Sequence, residues 1–277
     1  MEPPGLLFKY VGCEPHHLRI LADLRIRFTQ PDDLNDPFDC IPGVEPPGDL
    51  AAFVERAIAN SAPTDPILSF APQQLADAKR RLVAKYEGDL DALTQRCFEI
   101  VRRNINKVGI LSLSARNDNL VMWAHYAASH RGFVIGFKPG YAPLTKRTNE
   151  QYLSEGELQP VTYVQARVTL PADRIDLPFD QLYTKGQSWE YEEEWRVVRY
   201  LVKCDVAVPS PSGDPRVFLC DIDPAAIARV DIGEQASDET KTALRDATAH
   251  GSRLEHVHLY QAHLNAGRTT LAFKPLN

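Results

Sequence analysis

The chain has 277 residues, 44% of them hydrophobic and 25% charged. This ordinary globular mixture excludes global disorder and allows a substantial core. Its formal net charge of -6 at pH 7 excludes the bulk basic footprint of a nucleic-acid binder, leaving nucleic acid open only through a local patch.

Taken in order, Leu6–Tyr10 is apolar and aromatic enough for a first strand, and His16–Ala22 follows Pro15 as a short helix. Arg25–Thr29 alternates basic and apolar residues, the period of a half-buried strand. Gln30–Asp39 is rich in Pro and Asx residues and predicts turns, and Pro42–Gly48 predicts a loop. Leu50–Ala59 and Pro72–Asn106 carry helical patterns, the latter long enough for two helices. Their cationic residues Lys79, Arg80, Arg81, Lys85, Arg102, Arg103 and Lys107 read as a solvated face. Next come a strand at Val108–Ser114, a polar turn at Asn117–Asn119, a helix at Leu120–Ala128 and a strand at Gly132–Phe137. Residues 140–157 read as loop, Gln159–Val168 and Gln187–Val202 as strands, and Phe179–Lys185 as helical. The tail offers a strand at Ile227–Ile232, a helix capped by Ser237 and running through Ala249, and strands at Leu254–Ala262 and Thr269–Phe273. The expected fold class is α+β, with a mixed, largely antiparallel central sheet. One domain over 1–277 is expected, with a mostly helical insertion at about 43–107 and a strand–helix–strand extension at about 215–277.

Five cysteines without a CxxC spacing argue against a disulfide framework or zinc finger and for a reducing, cytoplasmic compartment. The start, Met-Glu-Pro-Pro-Gly, has no signal-peptide pattern. No apolar run approaches a membrane span, so no membrane partner is expected. The chain has no GxGxxG after a strand, no P-loop, no GxSxG elbow and no HExxH. His256 and His258 would share a strand face without an evident third ligand, so no metal site is assigned.

The strongest local signal is Trp189-Glu-Tyr-Glu-Glu-Glu-Trp-Arg196. As a strand it would place Trp189, Tyr191, Glu193, Trp195 and Val197 on one face and Glu192, Glu194, Arg196 and Val198 on the other. Acidic residues are poor strand formers, so either charge protects a sheet edge or the carboxylates have a task. Ser112 and Ser114 share a face of their strand and can bind a polar ligand or brace a carboxylate. Trp123 and Tyr126, one helical turn apart, form an aromatic wall facing a ligand or the core. Asn35–Asp39 reads as a structural turn able to shape a pocket, and Lys9 and Tyr10 end the first strand, Lys9 being either an anion contact or a surface lysine. Cys40 beside Asp39 has no evident activating partner.

Together, several segments resemble a bacterial family catalogued as domain of unknown function 2971. They are Phe8-Lys9-Tyr10, Leu24–Phe28, Leu34–Asp39, Leu111–Ser114, Asn119–Tyr126, Gly132–Phe137, Lys185 and Trp189–Arg196. A second resemblance concerns chemistry. A strand with a basic or aromatic residue, then Ser-x-Ser, then Glu-x-Glu, is similar in order to the ADP-ribosyltransferases. That resemblance implies Glu194 as the catalytic carboxylate on the nicotinamide ribose of NAD, with Glu192 as its companion. It also implies support from Ser112 and Ser114, stacking by Tyr126 or Trp123, and Lys9 or Arg27 where the superfamily has arginine or histidine. Tyr10 and Arg196 complete the implied binding set. NAD would be a substrate rather than a tightly bound cofactor, the partner a small-molecule nucleotide, the acceptor macromolecule unknown, and the role that of a toxin or phage-defence effector. The alternatives are a non-catalytic sensor or interaction module, in which Glu192, Glu194 and Arg196 form an ion-pair ladder, and a carboxylate- and metal-dependent hydrolase or nuclease.

Overall fold

The computed structural model describes residues 2–61, 72–145, 156–172, 179–209 and 217–276. The loop expected over 140–157 therefore lies partly outside the described residues. The protein is α+β. Among the described residues its main sheet has eight strands in the order β15-β14-β13-β5-β1-β4-β10-β6. These are β1 (Leu7–Val11), β4 (Val108–Ser114), β5 (Phe133–Phe137), β6 (Leu158–Pro160), β10 (Glu194–Tyr200), β13 (Ile227–Ile232), β14 (His258–Leu264) and β15 (Leu271–Leu276). Every neighbouring pair whose register is defined runs antiparallel except β13 with β14. The C-terminal strands are thus part of the central sheet, β13 pairing along β5.

Among the described residues, three smaller sheets accompany it. Strand β2 (Arg25–Phe28) pairs with β12 (Val217–Asp221), which also carries β11 (Val206–Val208). Strand β3 (Gly43–Glu45) pairs with β8 (Thr169–Pro171), and β7 (Thr162–Val164) with β9 (Thr184–Gly186). Helices α1 (Pro15–Asp23) and α6 (Asp238–Ala247) cover one face of the main sheet over Leu7, Leu111, Leu113, Phe133, Ile135 and Trp195. Helix α5 (Leu120–Tyr126) covers part of the other, packing Met122 and Trp123 on Phe8 and Tyr10. Helices α2 (Leu50–Ser61), α3 (Pro72–Tyr86) and α4 (Leu90–Ile105) form a satellite cluster around Phe53, Leu93 and Cys97. Among its cations, Lys79 meets Glu55 and Arg102 meets Asp32. No helix among the described residues is long and apolar enough to cross a membrane.

Several elements differ from the sequence expectation, each for a local reason. The strand expected over Gln187–Val202 is a strand only at Glu194–Tyr200; Gln187–Glu192 is a 3-10 turn, and Glu193 sits in the left-handed region at φ 44. A run of carboxylates does not favour a pleated ladder, so the simple two-face alternation fails before Glu194. Gln159–Val168 divides into β6 and β7, which join different sheets, at Pro160, which lacks an N–H to donate. The Pro42–Gly48 loop contains β3 because Arg167 donates to the carbonyls of Ile41 and Pro42 and holds that segment beside β8. Phe179–Tyr183 is a 3-10 turn that leads into β9. The strand expected at Leu254 begins at His258, and α5 ends at Tyr126 rather than Ala128.

Beyond α5 the chain passes through three left-handed residues, Ala128, Ser129 and His130. Gly132 then presses against the end of β1, where a Cβ would lie 2.0 Å from the Val11 carbonyl oxygen. Because the obstacle is sheet backbone, it cannot swing away. Gly132→Ala is expected to lower stability by on the order of 3 kcal/mol, read as a drop in the urea unfolding midpoint with unchanged slope.

Candidate functional site

Strand β4 is shared between two partners, and this opens the sheet. Phe8 faces Ser114 at the one register position where β1 pairs with β4 among the described residues. Further back along β4, Ile110 bridges instead to Thr29, just past β2. Between these two attachments β1 and β4 leave a gap. Lys9 reaches across it, its ammonium donating to the Ser112 carbonyl at 3.1 Å. The gap forms a cavity of about 120 Å³ whose walls include Lys9, Tyr10, Ser112, Tyr126, Glu192 and Glu194.

Behind this cavity lies a buried charge cluster. Arg196 is 0% exposed. Its guanidinium donates from Nε and Nη2 to Glu194 at 2.7 and 2.9 Å, and from Nη1 and Nη2 to Asp39 at 2.9 and 2.7 Å. Nη1 also reaches the Leu182 carbonyl at 2.8 Å. Lys185 donates to Glu192 at 2.5 Å and to Glu194 at 3.0 Å, and stands 3.6 Å from Asp39. Three carboxylates are thus gathered on two cations. Such a cluster persists in a low-dielectric interior only because nearly every lone pair and proton has a partner.

The two glutamates end up in opposite electrostatic states. Burial pushes the Glu194 carboxyl up, but Arg196 and Lys185 outweigh it and hold it down at about 2. For Glu192 burial dominates and Lys185 only partly offsets it, so its carboxyl is raised. Its Oε1 accepts from the Tyr126 hydroxyl at 2.6 Å, and that hydroxyl accepts from the Asn35 amide at 2.9 Å. Lys9 is pushed the other way: burial lowers its pKa, with the charges of Glu194 and Glu192 opposing. Lys185 rises despite burial, because Glu194, Asp39 and Glu192 surround it.

The remaining sequence candidates occupy different places. Tyr10 lines the cavity, but its hydroxyl is committed to the Arg116 carbonyl at 3.0 Å. The Ser114 hydroxyl donates to the Glu192 carbonyl at 2.7 Å and accepts from the Arg116 amide, fixing the turn that presents Glu192. Ser112 helps hold the Glu194 carboxylate ionised. Trp123 is 0% exposed and lies outside the cavity wall; its indole donates to the Asn117 carbonyl at 2.7 Å and its ring meets Tyr10 edge-on at 5.7 Å. As placed, it braces the core and offers no stacking face to a ligand. Arg27 pairs with Asp33. Asn119 caps α5 through Val121 and Met122 and donates to the Tyr191 carbonyl at 2.7 Å, tying the 3-10 turn to the helix.

Asn35 and Asp39, in the segment read from sequence as a turn able to shape a pocket, and Lys185, which the sequence offers only as part of the family resemblance, all belong to the cluster, though none is among the catalytic or binding candidates. A signal was present: a segment with four glutamates within five residues requires buried counter-charge once it enters a core, and Lys185 is the nearest cation on its N-terminal side.

Residues 122–197 match the family described as Protein of unknown function (DUF2971). The matched DUF2971 segment runs from α5 to the middle of β10 and includes Tyr126, Lys185, Glu192, Glu194 and Arg196. No curated protein and no solved structure matches the chain.

The Glu194 carboxyl, depressed in the folded state, stabilises the fold above its ordinary value of 4.5, and that contribution fades as pH falls toward about 2. Glu192, raised, contributes in the opposite sense, favouring the fold at low pH and less as pH rises through its elevated value. Arg196→Met is expected to cost about 3–5 kcal/mol at pH 7, because it strands Asp39 and Glu194 without their main cation. The variant should also lose less stability than the parent between pH 5 and 2.5, measured by denaturant titration at each pH.

Proposed function

We propose that the cavity between β1 and β4 is the reaction site of an enzyme that breaks the nicotinamide–ribose bond of NAD, with Glu192 as the carboxylate that meets the ribose. The observation that carries this reading is the pairing, around one cavity, of a glutamate with raised pKa and a lysine with lowered pKa. Titratable groups displaced toward each other in this way, on the walls of one cavity, are suited to proton exchange.

Glu194 is less suited to the part that the ADP-ribosyltransferase resemblance implies. Its two carboxylate oxygens are both engaged by Arg196, one also by Lys185, and an incoming sugar would have to displace them. Glu192 has a lighter set of partners, Tyr126 and Lys185. When the C1′–N bond breaks, its electron pair leaves with nicotinamide and positive charge develops on the ribose. A carboxylate fixed in a water-poor cleft stabilises that charge. Lys9, on the wall of the same cavity, is placed to accept the proton released by the attacking hydroxyl, whether water or an acceptor group. At about 120 Å³ the cavity is smaller than the roughly 300 Å³ at which small-ligand pockets begin, so only the reacting end of a dinucleotide enters it.

A second reading has its own support. The charge cluster is internally satisfied, as a purely structural ion-pair ladder in a sensor or interaction module would be. The two readings part on Glu192→Gln. In the enzymatic reading this variant keeps its melting temperature within a few degrees and loses nicotinamide release from NAD by at least about 100-fold. Parent activity should also fall as acid titrates Glu192 through its raised pKa. Unchanged nicotinamide release in Glu192→Gln, measured by chromatography, removes Glu192 from the mechanism. Failure of the folded parent to cleave NAD leaves the ladder.

A further inference from the structure

A larger cavity, of about 340 Å³, lies on the other side of Lys185. Its lining includes Asp36, Phe38, Arg167, Lys185 and Trp189. The volume falls in the range of small-ligand pockets, about 300–1,000 Å³, and nothing in the catalytic reading uses it.

Three features give the cavity a chemical preference. Phe38 is 64% exposed, which leaves much of its ring face open on the cavity lining. Trp189, half-buried, has the Lys185 ammonium 4.9 Å from its ring centroid. The cavity therefore offers aromatic faces to a planar guest. Arg167 lies 5.4 Å from the Phe38 ring and spends Nε and Nη2 on the carbonyls of Ile41 and Pro42, while Nη1 has no hydrogen-bond partner among the described residues. That leaves a charged donor suited to an anion. Asp36, 6% exposed, uses Oδ1 to accept from the Phe38 amide at 2.9 Å, and its other oxygen bonds to no described residue. It is an acceptor ready for an amino group on the guest.

We infer that this cavity binds a mononucleotide with an amino-bearing base: the base against Phe38 and Trp189, its amino group on Asp36, its phosphate on Arg167. The inference does not depend on cleavage chemistry in the smaller cavity, with which this one shares Lys185 as a wall. No bond is made or broken here.

The probe is adenosine 5′-monophosphate, titrated against the full chain by calorimetry, with adenosine and ribose 5-phosphate as partial ligands. Saturable binding of the monophosphate is expected, at least tenfold tighter than of either fragment. Phe38→Ala, at an exposed position, should weaken it at least fivefold without shifting the melting temperature. Arg167→Gln should erase the preference for the monophosphate over adenosine, a ratio that a mere loss of folded protein would not change. Absence of monophosphate binding to the parent, or equal binding by parent and Phe38→Ala, overturns the inference. NAD cleavage is measured separately, so loss of either result leaves the other readable.

Discussion

The guanidinium of Arg196, sealed from solvent between Asp39 and Glu194, sets the terms for the surrounding structure. It projects from β10, and the carboxylate of Asp39 comes from a turn far away in the chain. The Leu182 carbonyl it also holds belongs to the segment leading into β9. Removing such a charge from water costs several kcal/mol, which only close, multiple contacts recover. The three segments are therefore obliged to meet in one arrangement. Lys185 is drawn in by the same requirement, since a single guanidinium does not balance two carboxylates and a third, Glu192, lies beside them.

That imbalance reaches the cavity. Glu194 takes both oxygens to Arg196 and stays ionised. Glu192, sharing Lys185 with its neighbours, keeps less of the available positive potential and is raised. A carboxylate held down at about 2 thus stands two residues from one whose pKa is raised, because burial and partners differ rather than because the residues do. The sheet adds the opening. Strand β4 leaves β1 after a single bridge, and Lys9 spans the gap where ladder hydrogen bonds would otherwise close it. Lys185 then separates two hollows of different character, one small and rich in titratable groups, the other larger and edged by aromatic rings.

Much of this was readable along the chain. The regular strands over Val108–Ser114 and Ile227–Ile232 and the helices flanking Gly88 follow from local periodicity and turn residues, and they lie close to their expected positions. Glu192, Glu194, Ser112 and Lys9 stood out because polar side chains in apolar strands or in an acidic run need a reason. The failure was equally local. Glu192 and Glu194 share a surrounding not through strand alternation but because Glu193 adopts a left-handed conformation that turns the chain between them. Trp123 was read as a wall open to a ligand or to the core, and the Tyr10 ring and the Asn117 carbonyl determine that it is enclosed.

By itself the sequence determined the α+β class, the order of the regular elements, and which short segments carry unusual chemistry. Each of these depends on neighbours within a few residues: hydrophobic period, turn formers, charge density. Only the tertiary structure decided which carboxylate is clamped and which is poised, that Asp39 and Lys185 complete the cluster, and that β1 and β4 part to leave a hollow. Those outcomes depend on burial and on partners as far apart in the chain as Asp39 and Arg196, and dielectric environment has no signature in a linear string of residues.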